Sequence, residues 1–432
     1  MMVPTKFIPT ILVMAVCIAA GVFAQDAGTW MVTEMEKPAG LPGDMSSGEI
    51  VMSPDGLYLA AVSPGGGSII IFDLEHNLKK EFMFPDKLQA GIQNLSWSPD
   101  GAFLAFTEDF FIKLYEPDIW IFNRKSGGFK NLTDDGIEVT GFSDTTGMLV
   151  DILPVWNKKN GKLYFFRSTK VDNPEHPWTL TLMAISPAQG GKPVAVGDLG
   201  SVLLPFSFVQ PPAVSDDGRF LALVSFRSPG DPSNGVWIVD LQSGKARRIA
   251  EAGDLYDGLP DWVKKKPTLY PYDLIWCAGG RGLIIALKNG SNITFQPEAC
   301  CYLDVNTGRI TPLADFSGQK NQGEFYDKGE DGHSPFFKII RTGILSPDSC
   351  TLFFLNYELE PAGDAVMTVS LLHLPPSQPI KPEIVGSIRF KVKRKSPIEK
   401  IFFVLSANGR VFLDNYYYLL RFERGAPQGR SN

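Results

Sequence analysis

A five-residue motif, an apolar residue followed by Ser-Pro-Asp-Gly, recurs along the chain between two runs that read as strands. Its full form is Trp97-Ser98-Pro99-Asp100-Gly101, followed by Ala102-Phe103-Leu104-Ala105-Phe106. Met52-Ser53-Pro54-Asp55-Gly56 repeats it, and Val214-Ser215-Asp216-Asp217-Gly218 keeps all but the proline. Weaker copies end at Gly161, Gly280, Ser349 and Gly409. The residue types specify a turn: Ser caps it, Pro presets φ, Asp or Asn is tolerated third, and Gly takes the left-handed fourth position. Each copy is therefore a hairpin turn joining two antiparallel strands. A chain built on repeats of this length must stack its units to bury their faces.

Two further strands follow most copies. Asp118-Ile119-Trp120-Ile121-Phe122 leads through Lys125-Ser126-Gly127-Gly128 to Lys130-Asn131-Leu132-Thr133. Val236-Trp237-Ile238-Val239-Asp240 leads through Gln242-Ser243-Gly244-Lys245 to Arg247-Arg248-Ile249-Ala250. Cys301-Tyr302-Leu303-Asp304 leads through Asn306-Thr307-Gly308-Arg309 to Thr311-Pro312-Leu313. Each unit thus predicts a four-stranded antiparallel meander, the blade of an all-β propeller. In these residues the chain resembles the WD40-like repeat of the TolB propeller family, most closely in the first, second and fourth copies. The first unit begins near Gly48, so the resemblance implies a propeller without the small α/β domain that precedes it in TolB.

Turn positions 56, 101, 161, 218, 280, 349 and 409 predict seven blades, with six and a decorated C-terminal tail as the alternative. The last unit has strands at Ile401–Leu405, Val411–Asp414 and Tyr416–Phe422 but no fourth. Thr29-Trp30-Met31-Val32-Thr33 is expected to supply it, closing the ring without an exposed edge.

Lys6, an uncharged apolar run from Phe7 to Ala24 and the small-residue exit Val22-Phe23-Ala24 predict a signal peptide over 1–24. Retention as an anchor is the alternative, and no other stretch is long and apolar enough to span a membrane. Residues 25–432 then form a single propeller domain, periplasmic or secreted. A net charge of −6 argues against a nucleic-acid partner. Cys277, Cys300, Cys301 and Cys350 have no metal-site spacing and read as small apolar strand residues.

In a propeller, first-to-second and third-to-fourth connections share one face. These are nearly all tight here. The connections of the other face are long, and insertions collecting on one face of a repeat array mark its binding face. Its aromatic loops nominate Trp178, Tyr256, Trp262, Tyr270, Tyr272, Phe325, Tyr326 and His333 as ligand-binding residues. No G-x-S-x-G elbow or H-E-x-x-H helix occurs, and the four histidines divide between the two faces. No catalytic residue, metal site or cofactor is assigned. The expected role is a binding or scaffolding module for a protein or polysaccharide; the alternative is a propeller enzyme, a polysaccharide lyase or hydrolase, or a component of a peptidase system.

Overall fold

The computed structural model describes residues 30–35, 50–63, 66–86, 88, 91–108, 117–136, 149–173, 178–187, 190–199, 212–225, 231, 233–251, 253–257, 269–289, 297–313, 351–359, 364–376, 383–391, 404–407, 410–413 and 418–424. Side chains are described within 50–255, 274–285, 301–313 and 372–376 of these.

Among the described residues, seven antiparallel sheets follow the sequence units in order. The first is Ile50–Met52, Tyr58–Val62, Ser68–Asp73 and Leu78–Met83; the second is Ile92–Trp97, Phe103–Glu108, Ile119–Asn123 and Phe129–Asn131. The third comprises Leu149–Trp156, Leu163–Lys170, Trp178–Ile185 and Val194–Asp198, and the fourth Ala213–Val214, Phe220–Ser225, Gly235–Asp240 and Ala246–Glu251. Leu269–Cys277, Gly282–Asn289, Pro297–Asp304 and Ile310–Pro312 make the fifth. The sixth shows three strands among the described residues, Thr351–Leu359, Asp364–His373 and Glu383–Lys391. The seventh joins Val404–Ala407, Arg410–Leu413 and Tyr418–Arg424 to Trp30–Met35 from the other end of the chain. First strands of sheets one to five lie beside one another in succession, and that of the seventh lies beside that of the first. The arrangement is an all-β propeller.

The core lies between sheets, so both faces of the middle strands are buried. In Phe103–Glu108, Leu104 and Phe106 pack toward the first sheet, while Ala105 joins Leu163 and Phe165 of the third. This explains why Ile119-Trp120-Ile121-Phe122 is apolar without alternation: successive side chains enter different cores. Burying a side chain the size of Phe106 contributes roughly 2–3 kcal/mol. Between the first two sheets, Phe82, Phe122, Phe129 and Phe84 form a chain with centroid spacings of 4.9, 5.0 and 5.8 Å.

The repeated turn has one hydrogen-bond pattern in all three strong copies. Ser98 Oγ donates to Asp100 Oδ1 at 2.6 Å and accepts the Phe103 N–H at 2.8 Å, while Asp100 Oδ1 also accepts the Ala102 N–H at 3.1 Å. Ser53 with Asp55 and Ser215 with Asp217 repeat these bonds. The third residue is therefore an acceptor and not merely tolerated. Gly101 takes φ 65° at the fourth position, as the sequence requires. Ser98 is buried, so Ser98→Ala strands the Phe103 N–H and should cost about 1–3 kcal/mol. A fall in the urea midpoint with unchanged slope is the expected result.

Tryptophans before the turns tie neighbouring sheets together. Trp97 Nε1 donates to Val51 O at 3.3 Å, Trp156 Nε1 to Ser96 O at 3.0 Å, and Trp276 Nε1 to Ala213 O at 2.9 Å. The fourth sheet has Val214 at this position, and Asn157 Nδ2 instead reaches across to Gly218 O at 2.8 Å.

Candidate functional site

Third-to-fourth connections repeat a second turn. Asp73, Asn123, Asp240 and Asp304 each accept the backbone N–H groups two and three residues on, between 2.8 and 3.1 Å. Together with the Ser-Asp turns they fix one face as short, side-chain-locked connections. Residues 186–193 and 374–382 are longer exceptions. The opposite face carries the connections 109–118, 132–148, 199–212, 226–234 and 252–268, although 63–67 and 360–363 are short there.

The nominated residues fare differently from one another. Trp178 is not in a loop: it opens the strand Trp178–Ile185, pairs with Lys170, and packs half-buried against the core between the third and fourth sheets. The connection before it spans only residues 171–177, because Arg167–Lys170 continues the preceding strand in register. Tyr256 lies in a four-residue helix, Asp254–Asp257. Tyr270 and Tyr272 belong to the strand Leu269–Cys277 and not to a loop, and Tyr270 pairs with Lys288. Pairing over that length makes this aromatic segment a strand. Trp262, Phe325, Tyr326 and His333 lie outside the described residues, as does His176. Among the described residues nothing draws the eight into one cluster.

A polar junction that the sequence reading missed occupies the long-connection end of the second and third sheets. Asp151 sits in the first strand of the third sheet with its side chain 2% exposed, opposite Arg167 in the second strand. Arg167 Nε and Nη2 donate to its two oxygens at 2.8 and 2.6 Å. From the second sheet, Thr133 Oγ1 and Asn131 Nδ2 donate to the carboxylate of Asp118 at 2.9 and 2.7 Å. The Pro117–Asp118 peptide is gripped on both sides: its carbonyl accepts the Asp151 N–H at 3.0 Å, and its N–H donates to Glu108 Oε2 at 3.2 Å. Glu108 and Asp151 are the two charged residues among the fully buried positions described. The available signal was a lone acid inside an apolar run, Leu149-Val150-Asp151-Ile152-Leu153.

Burial pushes the Asp151 carboxyl up to about 6, with the Asp118 charge adding to the rise and Arg167 opposing it. The two hydrogen bonds from Arg167 hold its guanidinium in a fixed plane beside this carboxylate. Elsewhere, Cys277 and Cys301 are buried and in no disulfide, and burial pushes the Cys301 thiol up to about 12, far from a thiolate nucleophile. Among the described residues, no three His, Cys, Asp or Glu side chains stand where they could hold a metal ion. No described helix is long and apolar enough to cross a membrane.

No protein-family profile and no curated protein matches the sequence. Solved structures of similar overall shape include an oligogalacturonate lyase from Vibrio parahaemolyticus, 10% identical, with a TM-score of 0.46 over 91% of this chain and 97% of that one. A puromycin hydrolase is 13% identical with a TM-score of 0.46 over 85% of this chain and half of its own. The β-propeller domain of Myceliophteria thermophila Swd1 is 10% identical with a TM-score of 0.41 over 92% of this chain and the whole of that domain. None of these likenesses bears on the chemistry of this chain.

Proposed function

We propose that the chain is an exported, TolB-like, seven-bladed propeller that acts as a non-enzymatic binding or scaffolding module. Its ligand is a protein or an extracellular polysaccharide held on the long-connection face. The observation that carries this reading is the unequal treatment of the two faces. On one, Ser-Asp and Asp-turn hydrogen bonds keep connections short and rigid. On the other, the connections that separate described strands are long, from 109–118 to 252–268. A repeat scaffold that holds variable segments on one side is built to present them.

The test replaces residues 258–268 with a short Gly-Ser bridge, sparing the helix Asp254–Asp257 and the strand from Leu269. Binding of both forms to a panel of purified polysaccharides and to cell-envelope protein fractions is then compared. The expected result is retention of the fold by circular dichroism with at least tenfold weaker binding. Equal binding by both forms would remove this face from the proposal. Progressive depolymerisation of a bound polysaccharide by the intact protein would overturn the non-enzymatic assignment.

A further inference from the structure

The turns of the short-connection face are alike in hydrogen bonding and differ in charge. In the first, second and fourth sheets the acceptor that closes the first turn is an aspartate, Asp55, Asp100 or Asp217. The third sheet puts neutral asparagine there: Asn160 Oδ1 accepts the Lys162 N–H at 2.9 Å, and Asn157 Oδ1 accepts the Lys159 N–H at 2.9 Å. These bonds use the backbone of the lysines, and Lys158, Lys159 and Lys162 are exposed. Lys159 lies beside Gly218 of the next sheet, as Asp55 lies beside Gly101 and Asp217 beside Gly280. The row of turn acids is thus reversed in sign at one sheet, with no gain to the turn itself. The reversal extends to the neighbouring connections at the same end. Arg124 of the second sheet is fixed there: its Nε donates to Gly101 O at 2.9 Å, and its guanidinium lies 3.8 Å from the centroid of the Tyr58 ring. Exposed Lys125 follows it. The connection 186–193 of the third sheet adds exposed Lys192 and leads to Val194, an apolar side chain left 65% exposed. Six cations, Arg124, Lys125, Lys158, Lys159, Lys162 and Lys192, therefore stand in the connections at one end of two adjacent sheets, against one acid, Asp100. In the flanking sheets acids accompany the cations, Asp73 beside His76 and Asp240 beside Arg219.

We propose that this end of the second and third sheets docks onto the anionic headgroups of a lipid bilayer. Connections locked by their own side chains leave no long segment to wrap a partner, which suits a plane of charge better than a chain. Lysine ammoniums on flexible stems meet phosphates at any spacing, whereas recognition of one carboxylate calls for the planar fork of arginine. Val194, two residues from Lys192, supplies an apolar side chain able to enter the headgroup layer. In a chain of net charge −6 the acids elsewhere are repelled by the same surface, so this end alone is drawn to it. Docked in this way, the protein turns its long-connection face away from the bilayer.

The test uses the form starting at Gln25 with no ligand for the long-connection face, so its failure is separate from failure of the binding proposal. Co-sedimentation is measured with phosphatidylcholine vesicles, with and without about 30% phosphatidylglycerol. Binding is expected to the anionic vesicles alone, and to be lost at about 0.5 M salt. Lys158→Gln, Lys159→Gln and Lys162→Gln together should weaken it by about tenfold or more at an unchanged urea midpoint, while arginine at the same three positions should preserve it. If the triple glutamine variant does not fold, Lys125→Gln with Lys192→Gln is measured in its place, with the same direction of change expected. Equal binding to both kinds of vesicle, or equal binding by a folded glutamine variant and the wild type, would overturn the proposal. Retention on soluble heparin without retention on anionic vesicles would overturn it too, and would assign these cations to a polymer.

Discussion

A form of the protein starting at Lys37 will be several kcal/mol less stable than one starting at Gln25 and will self-associate. Residues Trp30–Met35 pair with Tyr418–Arg424 in unbroken register, from Trp30 opposite Arg424 to Met35 opposite Leu419. They are the fourth strand of the seventh sheet, and they also lie against the sixth sheet through Glu383–Lys391. Their loss removes a six-residue ladder whose hydrogen bonds contribute about 0.5–1.5 kcal/mol each. Chain entropy returned by the freed residues offsets part of this. The strand Tyr418–Arg424 then becomes an exposed edge, a template for pairing with another copy. Urea midpoints and light scattering read the two effects separately. A synthetic peptide covering residues 29–36 should restore the midpoint in trans. An unchanged midpoint without the strand would show that the ring does not depend on this closure.

That closure was legible in the sequence because the last unit lacks a strand and the first has one to spare. The units themselves were legible because the turn motif is local: Ser98, Asp100 and Gly101 satisfy one another within six residues, whatever surrounds them. The site was harder to read for a physical reason. Loop boundaries depend on how far two strands continue to pair, and the pairing of Arg167–Lys170 with Trp178–Thr181 is not written in either segment alone. Trp178 was therefore placed in a loop when it belongs to a strand. The Asp151–Arg167 junction failed differently. Each residue is visible, but their meeting depends on register, and the role of Glu108 depends on a backbone N–H ten residues away.

Gly244→Ala will be among the most damaging single substitutions in the protein, costing about 3–5 kcal/mol. Gly244 sits in the third-to-fourth turn of the fourth sheet at φ 70°, where its N–H donates to Asp240 O at 2.8 Å. A left-handed conformation alone costs an alanine roughly 1–2 kcal/mol. The larger penalty comes from the neighbouring sheet. A Cβ at this position would stand 2.0 Å from Val196 O and 2.9 Å from Gly197 Cα, and both atoms are backbone of the outer strand Val194–Asp198. No side-chain rotation relieves that contact, so the two sheets must separate or the turn must open. Gly308 provides the control. It has φ 72° in the equivalent turn of the fifth sheet, with nothing within 4 Å of an added Cβ. Gly308→Ala should therefore show the conformational cost alone, about 1–2 kcal/mol. The difference between the two variants measures how closely the third and fourth sheets are pressed together at their rim. Equal losses in Gly244→Ala and Gly308→Ala would mean that the fourth sheet shifts to accept a methyl group there. In that case the tie between these sheets rests on Asn157 and Gly218 near the ring's centre, and Asn157→Ala becomes the more damaging change.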